Sequence, residues 1–372
     1  MSELIQKNDG RATIRWKLLT GASALALTAY VASSSAVRAD DSDRPMFWLE
    51  FGGQMEMLKG TSRTFIAPFM LVDPTPAPYL GATPTENQRA PNFAFGGEGK
   101  LTFQPENSDW IFSASIRYGR SHGNRHVHHQ TLQHVSEYVV SRARLYSGTR
   151  VIAPFEDTKA RNDEHHAFLD FQAGHDVGIG AFGHESTWTL SAGVRFAQLS
   201  AKSSLDIRAR PSLTTMPPTG RGNSFVTAYE YVMSGHAERG FHGVGPLVSW
   251  HGTAPVAGNL DQGELTLDLG IDAALLFGRQ KAKIDHATKT YHFAYFSYSQ
   301  VNSTGNAPRR SRSLTVPDAG AFAGLSWRER DAKVSFGYRA DILFGAMDTG
   351  IDTAKKSNVT FNGPYASISI GF

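Results

Sequence analysis

One stretch limits what this chain can fold into more than any other. Residues 264–279 read ELTLDLGIDAALLFGR. Leu265, Leu267, Leu269, Ile271, Ala273, Leu275 and Phe277 share one parity, and Glu264, Thr266, Asp268, Gly270, Asp272 and Gly278 share the other. A period of two held over this length puts the apolar side chains on one face of a single strand. Ordinary strands run about five or six residues, whereas crossing a bilayer takes roughly 9–11 tilted residues. The pattern predicts an all-β fold, with this segment as one stave of a transmembrane antiparallel β-barrel. Lipid would lie against the leucines and a wet interior against the carboxylates.

Nine further segments carry the same alternation: 47–57, 93–103, 110–119, 167–177, 187–199, 240–251, 317–327, 332–345 and 360–372. Between them the connections alternate in length. Short ones cover 104–109, 179–186, 252–263 and 328–331; long ones cover 58–92, 120–166, 200–239, 280–316 and 346–359. Short periplasmic turns and long extracellular loops are the asymmetry of outer-membrane barrels, and about ten strands return both ends to the periplasm. Trp110, Trp188, Trp250 and Trp327 all fall next to short turns with lipid-facing parity, as an interfacial girdle requires. Trp48 lies at the same end but shares a face with Glu50 and Gln54.

The first residues follow a different pattern. Lys7, Arg11, Arg15 and Lys17 precede an apolar, small-residue run from Leu18 to Val37, which ends at Val37-Arg38-Ala39. This layout predicts a signal peptide over 1–39, cleaved before Asp40, and an outer-membrane β-barrel over 40–372. Residues 1–39 hold five basic and two acidic residues, a net charge equal to the +3 of the whole chain, so the exported part is close to neutral. Nucleic acid is therefore not an expected partner. The absence of cysteine excludes disulfides, thiol catalysis and cysteine-ligated zinc. A closed sheet without edges supplies stability in their place. The last strand ends on Phe372, similar to the recognition signal for the barrel assembly machinery of bacterial outer membranes.

Several fragments resemble the Legionella-type family of major, pore-forming outer-membrane proteins. They are FLDFQAGHD (168–176), GVRFAQL (193–199), FHGVGP (241–246) and LGIDAALLFG (269–278). The resemblance implies a porin-like role and admits a homo-oligomer. It says nothing of substrate, and without cysteine the disulfide-linked assembly of that family does not carry over.

Inward parity predicts a pore lining of Glu98, Lys100, Arg117, Asp170, Arg195, Asp268, Asp272, Lys333, Arg339 and Asp341. Ten charges in a dry core would be prohibitively costly unless paired, so they are expected to face water or each other. Pairing across the 179–186 turn puts Gln172 near Arg195, with Asp170 one diagonal away, and a register slipped by two is the alternative. Five acids against five bases set no ion selectivity. Seven of the 14 histidines cluster in 120–166, and His126 and His128 could offer a two-imidazole face to a metal; no third ligand has a fixed spacing. A solvated, pH-responsive loop is the plainer reading. Asp163, Glu164, His165 and His166 fall near the rim where omptin-like proteases activate water, but no matching second acid pair accompanies them. The 58–92 loop and the cluster Arg309, Arg310, Arg312 suit partner binding, pore constriction or contact with anionic lipid.

The sequence thus predicts an integral protein of the bacterial outer membrane with lipid as its surroundings, neither an enzyme nor dependent on a cofactor. It would be a porin-like channel for passive diffusion of small hydrophilic solutes or ions. The alternative is a non-conducting structural or adhesin barrel with ligand- or host-binding loops.

Overall fold

The computed structural model describes residues 46–60, 93–106, 108–130, 133–141, 144–152, 155–177, 187–210, 213–216, 225–259, 262–294, 297–329, 331–350 and 353–372. The leader expected over 1–39, most of the 58–92 connection and the turn at 179–186 lie outside the described residues. Ten antiparallel strands form the barrel. They are β1 (Met46–Lys59), β2 (Phe93–Gln104), β3 (Trp110–Gln130), β6 (Phe155–Asp176), β7 (Thr187–Arg210), β9 (Phe225–Asn259), β10 (Gly263–Ala294), β11 (Ser297–Glu329), β12 (Ala332–Asp348) and β13 (Lys356–Gly371). A separate hairpin of β4 (Gln133–Ser141) and β5 (Arg144–Ile152) links β3 to β6, and the short β8 (Leu213–Met216) pairs with β9. Each barrel strand pairs with its chain neighbour in the barrel, and β1 pairs with β13, Trp48 opposite Gly371 through Lys59 opposite Thr360. The ladder is therefore closed around the wall and leaves no free sheet edge, the condition for crossing a bilayer with strands.

The parity read from the sequence holds around the wall. Ile271, Leu275 and Phe277 face outward from β10, beside Val244 and Val248 of β9 and Leu325 and Trp327 of β11, all exposed. Trp110 and Trp327 stand on this surface close to the short turns; Trp188 shares the parity but is only 3% exposed, stacked on Trp250 at 4.6 Å. Opposite Trp188 stands Gly252, where a Cβ would collide with the indole, so the ring lies flat over that glycine. Trp48 points into the barrel mouth, with the Arg328 guanidinium 5.2 Å over its ring. Phe372 is exposed, and its backbone N–H donates to the Phe47 carbonyl at 2.8 Å.

The long connections differ from expectation. The stretches 120–166, 200–239 and 280–316, expected as loops, are largely continuations of the strands beyond the lipid-facing band. β9 alone runs 35 residues, more than three times what a crossing needs. The extension persists because it has an interior of its own: Ala160, Leu205, Ile207, Met233, Ala237 and Ile284 form a second buried cluster. β6, β7, β9 and β10 each contribute only one or two of these apolar residues among charges, too few for the alternation to stand out.

Candidate functional site

The barrel interior is the candidate site, and it is layered. All ten predicted pore-lining residues point inward, and most are buried. Near the short turns lies a polar cavity of ≈ 220 Å³, whose walls include Glu50, Lys100, Gln172, His251, Lys333 and Tyr365. Lys333 pairs with Asp268 at 2.7 Å, and Asp268 also accepts hydrogen bonds from Thr253 and Ser326. Inward glycines make room for this crowding. At Gly320 a Cβ would sit 2.5 Å from Asp272 Oδ2 and 2.6 Å from Asp341 Oδ1, so the residue is small because two carboxylates press against it.

Above the cavity the charges condense into a network. Arg195 Nε and Nη2 each donate to Asp170 at 2.9 Å, while Nη1 lies 2.6 Å from Asp318 Oδ2 and 2.7 Å from Asp272 Oδ1. Arg117 Nη1 donates to Asp341 at 2.9 Å, and Arg339 reaches Asp341, Glu98 and Asp272 at 3.3, 3.5 and 3.7 Å. Arg195 is 1% exposed despite carrying a charge, which it can sustain only because three carboxylates surround it. The register across the β6–β7 turn is the alternative slipped by two: Asp170, not Gln172, stands opposite Arg195, and Gln172 faces Gly193. This register gives the guanidinium a two-pronged carboxylate partner in place of a neutral amide. Asp318 was missed by the sequence reading, although its parity with Gly320 and Ser326 marks it as inward. With Asp318 and Glu50 added, acids outnumber bases among the charged residues placed inside.

Beyond this network the interior turns apolar. One inward step further from the short turns, Asp170 gives way to Phe168, Arg195 to Ala197, Asp272 to Ala274, Asp318 to Val316 and Asp341 to Leu343. Leu276, two residues beyond Ala274, joins them, and with Phe241, Leu247, Val359 and Phe361 they form one cluster across the lumen. The wet interior face expected of residues 264–279 is therefore wet only up to Asp272. Phe168 joins the layers, with Arg117 4.9 Å and Arg195 5.8 Å over its ring. A buried pair, His166 Nε2 to Glu56 Oε2 at 3.1 Å, sits beside this cluster, its imidazole 4.2 Å from the Phe361 ring.

The end of β12 and the residues that follow it close the stack. The strand bends inward at Gly345, whose φ of +69° is natural only for glycine, and buries Ala346 and Met347 completely. Gln280 of β10 donates to the Ala346 carbonyl at 2.8 Å, and Arg310 of β11 reaches Asp348 at 2.9 Å and the Gly350 carbonyl at 2.6 Å. Asp348 in turn accepts from the Gly350 and Lys355 backbone N–H groups.

The other sequence candidates lie on the extension and do not converge. Asp163 and His165 face outward, whereas Glu164 and His166 face inward, so the wall separates the four groups expected near a proteolytic rim. Asp163 bonds to His122 and Arg161. Partial burial would raise its carboxyl, but those two partners outweigh it and hold the group below the usual carboxylate range. Burial, then Arg120 and Lys202, lowers the His165 imidazole. His126 bonds to Asp157, and among the described residues no three ligating side chains come together around His126 and His128.

No family model and no curated protein matches the sequence. Among solved structures the chain is similar in fold to the outer membrane protease OmpT of Escherichia coli, at 10% identity and a TM-score of 0.36, over 90% of this chain and 99% of that one. It is also similar to the translocator domain of the autotransporter NalP of Neisseria meningitidis (10% identity, TM-score 0.23, 95% of each chain). A third is a deletion mutant of the TodX monoaromatic hydrocarbon channel (10% identity, TM-score 0.21, 89% of this chain and 91% of that one). The chain is an antiparallel transmembrane β-barrel of the outer-membrane type.

Proposed function

We infer that this protein is a closed, non-conducting barrel of the bacterial outer membrane that works through its extended strands as a surface-binding platform. One observation carries the reading: a paired ionic network and an apolar layer lie stacked across the lumen, with the inward end of β12 packed over them. An aqueous path would have to cross the apolar layer, where an ion has no partner to replace its hydration. The second buried cluster, in the extension, supports the other half. A loop needs no apolar interior to reach the solvent, but a rigid presented surface does. No step of catalysis enters this reading, because the four candidate groups are split between the two faces of β6, Asp163 with His165 outward and Glu164 with His166 inward.

A porin-like channel is the second reading, favoured by the polar cavity near the short turns and by the resemblance to Legionella-type pore-forming proteins. It requires the inward end of β12 and the apolar layer to move aside together.

The platform is tested by trimming it. Residues 203–237 and 287–304 are each replaced by Asn-Gly, joining strands that already pair as Lys202 with Glu238 and His286 with Gly305. Bacteria displaying the full chain are expected to settle from suspension or adhere to cultured cells. Bacteria displaying the trimmed barrel, heat-modifiable on gels like the parent, should behave as cells without it. Equal adhesion by both, or by neither, would count against the platform.

A further inference from the structure

The outer wall changes character abruptly above its apolar band, and does so unevenly around the barrel. On β10 the outward residues Leu275 and Phe277 are followed on the same face by Arg279, Lys281 and Lys283. Arg309 of β11 and Lys202 of β7 are exposed on the same side. On β13 the corresponding boundary is crossed by neutral residues, Asn362 and Thr360. Exposed cations also follow the apolar band singly on β1 (Lys59) and β3 (Arg120), but five of them stand together on β7, β10 and β11.

These cations border a recess. Lys281 stands opposite Gly240 of β9 and Ser311 of β11, while Lys202 and Lys283 both stand opposite Glu238. Gly240 presents no side chain, and a Cβ there would touch only the Leu199 carbonyl oxygen, so the wall dips at this point. The recess is ≈ 480 Å³ and is flanked by Lys202, Lys281, Lys283 and Arg309. Two of its cations are already matched, Lys202 to Glu238 at 3.1 Å and Lys283 to Asp285 at 2.9 Å. Lys281 and Arg309 have no ion-pair partner among the described residues. Directly below lie Phe277, Val244 and Phe196, exposed to the lipid.

We propose that this recess binds the phosphate of a phosphorylated lipid in the leaflet nearer the strand extensions. Lys281 and Arg309 hold the phosphate, and the acyl chains lie along Phe277, Val244 and Phe196. A phosphate gives two unmatched cations the charge and acceptor oxygens they lack, and the apolar wall beneath fixes the source as a lipid.

The test uses the refolded full-length barrel in neutral detergent with three probes: lipid A carrying its phosphates, the same lipid dephosphorylated, and inorganic phosphate. The phosphorylated lipid should bind at one equivalent and outcompete the dephosphorylated one. At about fivefold per cation, Lys281→Gln with Arg309→Gln should weaken it roughly 30-fold. Lys59→Gln, outside the recess, should leave binding unchanged, and heat-modifiable migration checks that each variant folds. Equal binding of the two lipids, or full binding by the double variant, overturns the site. Competition by inorganic phosphate at the lipid's own affinity would make it a free-phosphate site and overturn the lipid assignment.

Discussion

Replacing Arg195 by methionine is expected to destabilise the refolded barrel by about 3–5 kcal/mol, the cost of leaving buried charge without its partner. Three carboxylates, Asp170, Asp272 and Asp318, close on that one guanidinium, and all three are buried. Without it, they repel one another in a space closed above by Phe168 and Leu276. Denaturant unfolding followed by the heat-modifiable band on gels reads the effect. A second variant tells charge from packing: adding Asp272→Asn and Asp318→Asn to Arg195→Met should recover much of the loss, because the repulsion goes with the charges. By contrast, Lys202→Met breaks a pair whose side chains are about half exposed, and should change stability by no more than about 1 kcal/mol. If Arg195→Met is as mild as Lys202→Met, the network is hydrated and the interior is open.

The second large effect concerns Leu276, whose exposure is zero. In a water-filled lumen a polar residue at this inward position would be welcome, and Leu276→Gln would be neutral. In the packed interior it removes methylene contacts with Val316 and its neighbours and buries an amide without partners, for a loss of about 3–5 kcal/mol. Lys333→Gln, on the wall of the polar cavity, is the matched control and should cost about 1 kcal/mol. The comparison is made by the same unfolding measurement. Equal costs at the two positions would mean that the dry layer does not exist.

How far the sequence could be read follows from what each residue signals. The strands were legible because lipid imposes a strict rule on the outer face: Ile271, Leu275 and Phe277 can alternate only with something else. The inner face obeys no such rule. Asp272 and Leu276 share a parity, and nothing local says that one meets water or an arginine while the other meets Val316. That depends on which strands face each other across the lumen, a relation between residues such as Arg117 and Asp341 that are 224 positions apart. For the same reason Asp318 went unread, although its alternation was in plain view. The inward end of β12 was hidden too: Gly345 hinted at a bend, but only Gln280 and Arg310, on other strands, set its direction. Of the Arg309–Arg312 cluster only Arg309 joins the outward cations, whereas Arg310 and Arg312 turn inward to Asp348 and Gln280. The gathering of Arg309 with Lys202 and Lys281 needed the register of four strands.

The most direct test of the closed lumen is the conductance of the refolded segment from Asp40 to Phe372 in a planar lipid bilayer. The folded, heat-modifiable barrel is expected to insert without discrete, persistent current steps, because the apolar layer around Leu276 and Phe361 stays dry. Steady steps from the unmodified chain, altered in size or selectivity by Asp268→Asn or Arg339→Ala, would contradict the closed barrel and establish a pore lined by those residues.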